Sequence, residues 1–179
     1  ISGVKLFSIK SYADNRGVFS EVYLKTLDYP EFKIEYVQEN ESISNFGVFR
    51  GMHMQKGNNS QSKLIRVVKG KLIDVICDLR KSSPSFKKII FIKLNPNQLL
   101  FLPKGLAHGF LSLEEGTILN YKCDNFYNQS SESGFNLFKS KMDIDLPLES
   151  DDIIMSSKDK ILPGLDNSYI YENLWKELY

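Results

Sequence analysis

Two histidines, His53 and His108, are the whole imidazole complement of this 179-residue chain, so imidazole chemistry has two possible addresses. An imidazole titrates near neutral pH and suits general acid–base work. Two histidines are too few for a three-histidine metal centre. His53 sits in Arg50-Gly51-Met52-His53-Met54-Gln55, after Gln38-Glu39-Asn40. In a strand, alternation puts His53 and Gln55 on one face, with Gly51 on the same side leaving room beside them. A lone histidine reads as readily as a structural residue; the company of Arg50, Gln55 and a glycine raises the functional reading beside it. His108 sits in Pro103-Lys104-Gly105-Leu106-Ala107-His108-Gly109-Phe110. There proline and glycine shape a turn that delivers His108 to the start of the next strand. Two more segments gather polar groups. Asp14-Asn15-Arg16-Gly17-Val18-Phe19-Ser20-Glu21 reads either as a β-turn with a charged flank or as part of a site. Ser156-Ser157-Lys158-Asp159-Lys160, taken alone, reads as a solvated loop or helix cap.

The rest of the composition narrows the function classes. With 23 basic and 22 acidic residues the formal net charge is +1. That argues against general nucleic-acid binding, which needs a basic face to neutralise phosphates. Only four of the basic residues are arginines: Arg16, Arg50, Arg66 and Arg80. No apolar run approaches the roughly 18–20 residues that span a bilayer, and residues 1–10 lack the zones of a signal peptide. The expectation is a cytoplasmic protein with neither membrane nor nucleic acid as partner. Cys77 and Cys123 lie in strand-like stretches and are expected as buried reduced thiols, with a disulfide between them left open.

The elements that must position these residues are mostly strands. Apolar, β-branched runs cover 63–68, 71–79, 88–94, 98–102, 109–113 and 117–123. Lys69-Gly70, Asn95-Pro96-Asn97 and Glu114-Glu115-Gly116 punctuate them as turns. Many short strands at this spacing indicate a sandwich or barrel, whose mouth is a common place for small-molecule sites. Helical periodicity is weak; 24–29 reads as a short helical turn and 168–178 as a C-terminal helix. The chain therefore reads as one domain over 1–179, mainly antiparallel β, with a few short helices and a C-terminal helical tail.

Pro103, Gly105 and His108 match the second motif of the cupins, Pro-x-Gly-x-x-His. The first cupin motif, which carries His-x-His, is here His53-Met54-Gln55. The resemblance therefore implies a cupin-like β-barrel, a jelly roll, without the metal. A fuller likeness follows from seven pieces in order: 14–21, 38–40, 47–55, 63–86, 102–113, 121–127 and 156–159. Together they resemble the dTDP-4-dehydrorhamnose 3,5-epimerase family, the metal-independent sugar-nucleotide epimerases.

That resemblance implies a role for each matching position. His53 corresponds to the proton-abstracting base, Asp159 to the carboxylate paired with it, Tyr121 to the proton donor and Lys63 to the lysine opening the following strand. His108 lines the sugar pocket. Arg16, Glu21, Gln38, Asn40, Arg50, Glu132 and Lys158 match nucleotide, diphosphate or sugar contacts, and Phe126 stands where many members stack a Tyr on the nucleobase. In the family the strand with Arg16 and Glu21 reaches across a homodimer, so those contacts serve the partner's site.

The residue types suit the implied chemistry. A ketone at C4 of a nucleoside-diphosphate 6-deoxyhexose acidifies the C–H bonds at C3 and C5. Deprotonation gives an enolate, and reprotonation from the other face inverts the centre. Histidine serves as base, a partnered carboxylate orients it, and tyrosine serves as acid. A lysine can meet the developing oxyanion, and arginine forks suit the diphosphate. The substrate's ketone is the electron sink, so no cofactor is expected. Four departures bear on the substrate more than on the reaction: Phe126 for Tyr, Met54 for an aromatic, Asn136-Leu137-Phe138 for Trp-Asp-Pro, and no Trp in Ile144-Asp145-Leu146-Pro147. The alternatives are a 3-only or 5-only epimerase, an epimerase of another 4-keto sugar nucleotide, and a non-catalytic sugar-binding cupin module.

Overall fold

The computed structural model describes residues 1–25, 29–141 and 144–172. Among them, twelve strands run in chain order: β1 (Lys5–Ser8), β2 (Lys10–Asp14), β3 (Gly17–Glu21), β4 (Gln38–Ser44), β5 (Phe49–Gln55), β6 (Lys63–Lys69), β7 (Leu72–Asp78), β8 (Ile89–Leu94), β9 (Gln98–Leu102), β10 (Leu106–Ser112), β11 (Thr117–Cys123) and β12 (Glu132–Gly134). Two short helices, α1 (Pro30–Lys33) and α2 (Ser157–Ile161), accompany them. The strands form two five-stranded sheets, β1-β9-β6-β11-β4 and β12-β5-β10-β7-β8, and a separate hairpin, β2-β3. Every strand pairing is antiparallel. This is the cupin-like jelly roll that the sequence implies.

Period-two alternation explains how the sheets stack. Ile65 and Val67 of β6, Leu100 and Leu102 of β9 and Leu119 of β11 share one cluster with Leu72 and Ile76 of β7 and Phe110 of β10. Both sheets contribute, so this cluster fills the space between them. The outer faces are covered separately. Val75, Cys77 and Leu111 pack under Phe135, Leu137, Leu165 and Tyr171 from the C-terminal third. Leu64, Leu99 and Phe101 pack under Phe32 of α1 with Phe7, Tyr23 and Tyr36. Cys77 and Cys123 are buried free thiols, and burial pushes the Cys77 thiol up to about 12.

Three expectations change. The strand expected over 109–113 begins at Leu106, because β10 is already paired with Asp78 of β7 there. His108 is therefore the third residue of that strand rather than its opening. The turn expected over 24–29 is displaced: Leu24, Lys25 and Tyr29 are not helical, and 26–28 lie outside the described residues. The helix starts instead at Pro30, whose fixed φ suits a first helical position and disfavours helix in the residue before it. In the expected C-terminal helix, 168–172 is not helical, and Tyr171 instead bridges Arg80; 173–179 lie outside the described residues.

One buried polar knot ties this end together. Asp78 accepts from Arg80 Nε and Nη2 at 2.8 Å each and from the Ser83 and Ser85 hydroxyls at 2.6 Å each. Arg80 also donates to the Ser2 carbonyl at 2.8 Å. Burial pushes the Asp78 carboxyl up, but its bonds from Arg80 and the two serines outweigh that and hold it below the ordinary value. Neither the Asp78 nor the Arg80 side chain is exposed. Replacing Arg80 by Met leaves a buried carboxylate without its counter-charge. Urea unfolding of Arg80→Met should show a loss of about 3–5 kcal/mol.

Candidate active site

Strands β5 and β10 approach each other more closely than side chains permit. Gly51 has φ +129°, and a Cβ there would lie 2.6 Å from the Gly109 Cα. A Cβ on Gly109 would lie 2.7 Å from the Arg50 carbonyl oxygen. Glycine at both positions removes the clash. The pairing slips here, from His108 opposite His53 to Phe110 opposite Arg50, so β5 carries one extra residue. This bulge changes the facing of the strand. Arg50 and His53, three residues apart, both line one cleft, where strict alternation would part them. Gly51 therefore makes room for the backbone of Gly109, not for a ligand beside His53.

The cleft, about 680 Å³, opens between the sheets. One wall carries Gln38 and Asn40 of β4, Lys63 of β6 and Tyr121 of β11. The other carries Arg50, His53 and Gln55 of β5 and His108 of β10. Tyr127, Glu132 and Lys158 form the rim, Asp159 lies buried behind His53, and Phe110 and Leu119 of the sandwich core form part of the lining.

Each histidine holds a carboxylate. His53 Nε2 lies 2.6 Å from Asp159 Oδ1, and the Gly51 N–H reaches Asp159 Oδ2 at 3.4 Å. Burial pushes the Asp159 carboxyl up, but His53, the Gly51 N–H and Ser156 together hold it below the ordinary value. His108 Nε2 lies 2.7 Å from Asp74 Oδ2. Asp74 is fully buried, and that burial pushes its carboxyl up despite His108 and Lys63. Sequence reasoning missed Asp74. Its signal is an acid alone in the apolar run Leu72-Ile73-Asp74-Val75-Ile76, where a buried carboxylate needs a partner.

On the facing wall the Lys63 ammonium sits 5.5 Å from the centre of the Tyr121 ring. Burial lowers the Lys63 pKa, while Cys123, Asp74 and Glu132 counter it. Burial and then Cys123 raise the Tyr121 phenol, with Arg50 pulling the other way. At the rim, Glu132 Oε2 accepts from the Tyr127 hydroxyl at 2.7 Å and from Lys158 Nζ at 2.5 Å. Tyr127, another residue missed from sequence, is held by its backbone: its N–H donates to Gln38 Oε1 at 2.8 Å. Gln55 and Gln61 hold the same segment through Asn128 N–H at 3.0 Å and the Asn125 carbonyl at 2.8 Å.

Ten of the thirteen residues singled out from sequence line this one cleft: His53, Tyr121, Asp159, Lys63, Gln38, Asn40, Arg50, His108, Glu132 and Lys158. Arg16, Glu21 and Phe126 do not. Arg16 pairs with Asp14 at 2.6 Å in the hairpin turn. Glu21 ends β3 and lines a second cavity of about 440 Å³ on the outer face of the first sheet. Phe126 is 64% exposed beside the rim.

The family model described as dTDP-4-dehydrorhamnose 3,5-epimerase matches residues 1–167. The chain belongs to that family. A dTDP-4-dehydrorhamnose 3,5-epimerase of Methanothermobacter thermautotrophicus is 36% identical over 96% of this chain and 94% of its own. The dTDP-4-dehydrorhamnose 3,5-epimerase of Bacillus anthracis, solved with TDP and PPi bound, is 41% identical, with a TM-score of 0.84 over 92% of this chain and 95% of its own. The Legionella pneumophila enzyme, solved with dTDP-4-keto-L-rhamnose, is 33% identical, with a TM-score of 0.85 over 93% of this chain and 90% of its own. In this member of the 3,5-epimerase family, the depressed Asp159 carboxyl also carries a stability signature. A carboxyl held low in the fold adds stability above its unfolded value, and the gain vanishes as pH falls through the folded one. The stability advantage of the native chain over Asp159→Asn, followed by urea unfolding, should be full above about pH 4 and disappear at more acidic pH.

Proposed function

We propose that this chain epimerises C3 and C5 of dTDP-4-dehydro-6-deoxyglucose, giving the dTDP-4-dehydrorhamnose configuration. The reading rests above all on one arrangement: the His53–Asp159 pair on one wall of the cleft and Tyr121 over Lys63 on the other. A base and an acid on opposite sides of a bound sugar are what inversion through a planar enolate requires.

In this reading His53 takes the proton from C3 or C5, and the C–H electron pair moves into the C4 carbonyl as an enolate. Asp159 orients the ring and stabilises the imidazolium. The Lys63 ammonium and a His108 N–H meet the oxyanion, with Asp74 fixing the His108 ring. Tyr121, whose raised phenol keeps its proton, delivers it to carbon from the other face; its phenolate and the imidazolium then exchange with solvent. The carbonyl is regenerated, so no electrons enter or leave, and the ketone does the work a cofactor would otherwise do. Arg50 suits the diphosphate: Ser44 Oγ holds its Nε at 3.1 Å and the Ile43 carbonyl its Nη2 at 3.3 Å, which fixes the fork at the cleft.

The working unit in this reading is a homodimer that exchanges β-strands. The β2-β3 hairpin exposes Tyr12, Val18 and Phe19 at 51%, 70% and 70%, an apolar face that a second copy would cover. Its Arg16 and Glu21 then serve the partner's cleft, which accounts for their place outside this one. Val18→Asp with Phe19→Asp should convert the dimer to monomer in sedimentation, with activity lost alongside; a native chain that sediments as a monomer would refute the exchange.

Incubation with the dTDP-4-keto-6-deoxy sugar in deuterated water tests the reaction. Deuterium should enter at both C3 and C5. Entry at one carbon alone would make it a 3-only or 5-only enzyme, and no entry would refute the epimerase reading. His53→Ala should lose at least about 10²–10⁴-fold of the rate, and Tyr121→Phe should impair epimerisation more than exchange.

A further inference from the structure

Asp159 orients the proposed base from α2, a helix of five residues. A helix this short does not hold itself together in water. Its position must therefore come from outside, and its end carbonyls need partners. Ser156 Oγ accepts the Asp159 N–H at 3.1 Å, which fixes one side of the residue. The other side is held by Asn136, a buried residue just after β12. Its Nδ2 donates to the Asp159 carbonyl and to the Lys160 carbonyl, at 3.3 Å each. Its Oδ1 accepts the Phe138 N–H at 2.9 Å, and its own N–H donates to the Pro163 carbonyl at 2.7 Å. Asn136 thus uses side chain and backbone together to dock α2 against the strand beside β5. It does not line the cleft, and its hydrogen bonds go to no ionised side chain.

We infer that Asn136 is a positioning residue for the proposed reaction: its carboxamide sets the reach from Asp159 to His53. The inference rests on the reading of His53 as base with Asp159 as its orienting carboxylate. The groups that face His53 are Asp159 and Lys158 from α2, Glu132 from β12, His108 from β10, and Lys63 and Tyr121 across the cleft. Among these elements Asn136 hydrogen-bonds to backbone carbonyls of α2, so its loss acts on the site through α2. Leucine or alanine at this position leaves the Lys160 carbonyl without the Asn136 donor and the Asp159 carbonyl with only the Leu162 N–H, at 3.3 Å. The helix then shifts by a fraction of an ångström or more, and proton-transfer geometry tolerates little of that.

A loosened carboxylate orients the imidazole less well, so the exchange rate falls without a matching loss of nucleotide affinity. The test follows deuterium entry into the 4-keto sugar nucleotide for the native chain, Asn136→Ala, Asp159→Asn and the double variant. Asn136→Ala should lower the exchange rate at saturating substrate roughly 5–50-fold. Affinity for dTDP, measured by calorimetry, should stay within about two-fold, since binding the nucleotide does not need the Asp159 carboxylate. In the Asp159→Asn background, Asn136→Ala should add nothing further, because the two act through one contact.

A fall in dTDP affinity that matches the fall in rate, or full additivity with Asp159→Asn, would overturn the inference and leave Asn136 a stabilising residue only. If Asp159→Asn alone left the exchange rate unchanged, the reading of the pair itself would fall, whatever Asn136→Ala did. Should Asn136→Ala not fold, Asn136→Ser, which still accepts from Phe138 N–H but cannot span both carbonyls, carries the same comparison.

Discussion

The hydrogen bond between His53 and Asp159 joins residues 106 positions apart, and much of the molecule serves to make it possible. On one side stands β5, which must carry His53 into the cleft although its neighbour Arg50 faces the same way. Only an extra residue in the strand allows that, and the extra residue fits only because Gly51 and Gly109 leave their backbones free to touch. The same bulge aims the Gly51 N–H at the second oxygen of Asp159. On the other side stands α2, too short to persist alone, fixed by Ser156 and by the carboxamide of Asn136. Neither end of the bond is self-supporting, and each is held by backbone geometry rather than by bulk.

The cleft contains two histidine–carboxylate pairs on adjacent strands, and they are not equivalent. Asp159 is held low by several donors. Asp74 is pushed up by burial, with one histidine contact and an oxygen, Oδ1, that has no hydrogen-bond partner. Two carboxylates driven apart by their surroundings mark different tasks in one site. In the proposed reading the His53–Asp159 pair, half-open on the histidine side and closed over the carboxylate, accepts and releases a proton in each cycle. A dry pair such as His108–Asp74 is better suited to keep one hydrogen-bond donor pointed at an oxyanion. The Lys63 ammonium beside Asp74 adds charge to that corner, at the place where the proposed enolate oxygen develops.

Much of this was legible in the chain. Alternating apolar residues and turn signals located five of the twelve described strands, β6, β7, β8, β9 and β11, to within a residue of their ends, because period-two patterning and Gly/Pro punctuation act locally. The motif residues located ten positions of one cleft. What stayed hidden depended on non-local contact. The bulge at Gly51 leaves no trace in alternation, since its cause lies on β10. Asp74 looked like an isolated acid until His108 stood beside it. Residues 168–172 carried enough helical pattern to suggest a helix, yet Tyr171 packs against the sandwich and pairs with Arg80 instead, so tertiary contact overrode a weak local preference.

The placement of the reacting groups follows from how the core ends. Val67, Ile65 and Lys63 are successive inward positions of β6; Leu119 and Tyr121 are successive inward positions of β11; Phe110 and His108 are those of β10. Each row runs from packed hydrocarbon to a polar head at the same end of the sandwich. The cleft is therefore the last layer of the core, and its acid, lysine and second histidine inherit the rigidity of the layers beneath. The rim, where the proposed reading seats the nucleotide, is built differently. The 125–128 rim is held by glutamine side chains reaching to its backbone, so Phe126 and Tyr127 can vary without disturbing the layers that hold Lys63 and Tyr121. A chain organised this way can vary its rim while the geometry of the proposed proton transfer below stays fixed, so in the proposed reading the Phe126 departure bears on the substrate and not on the reaction.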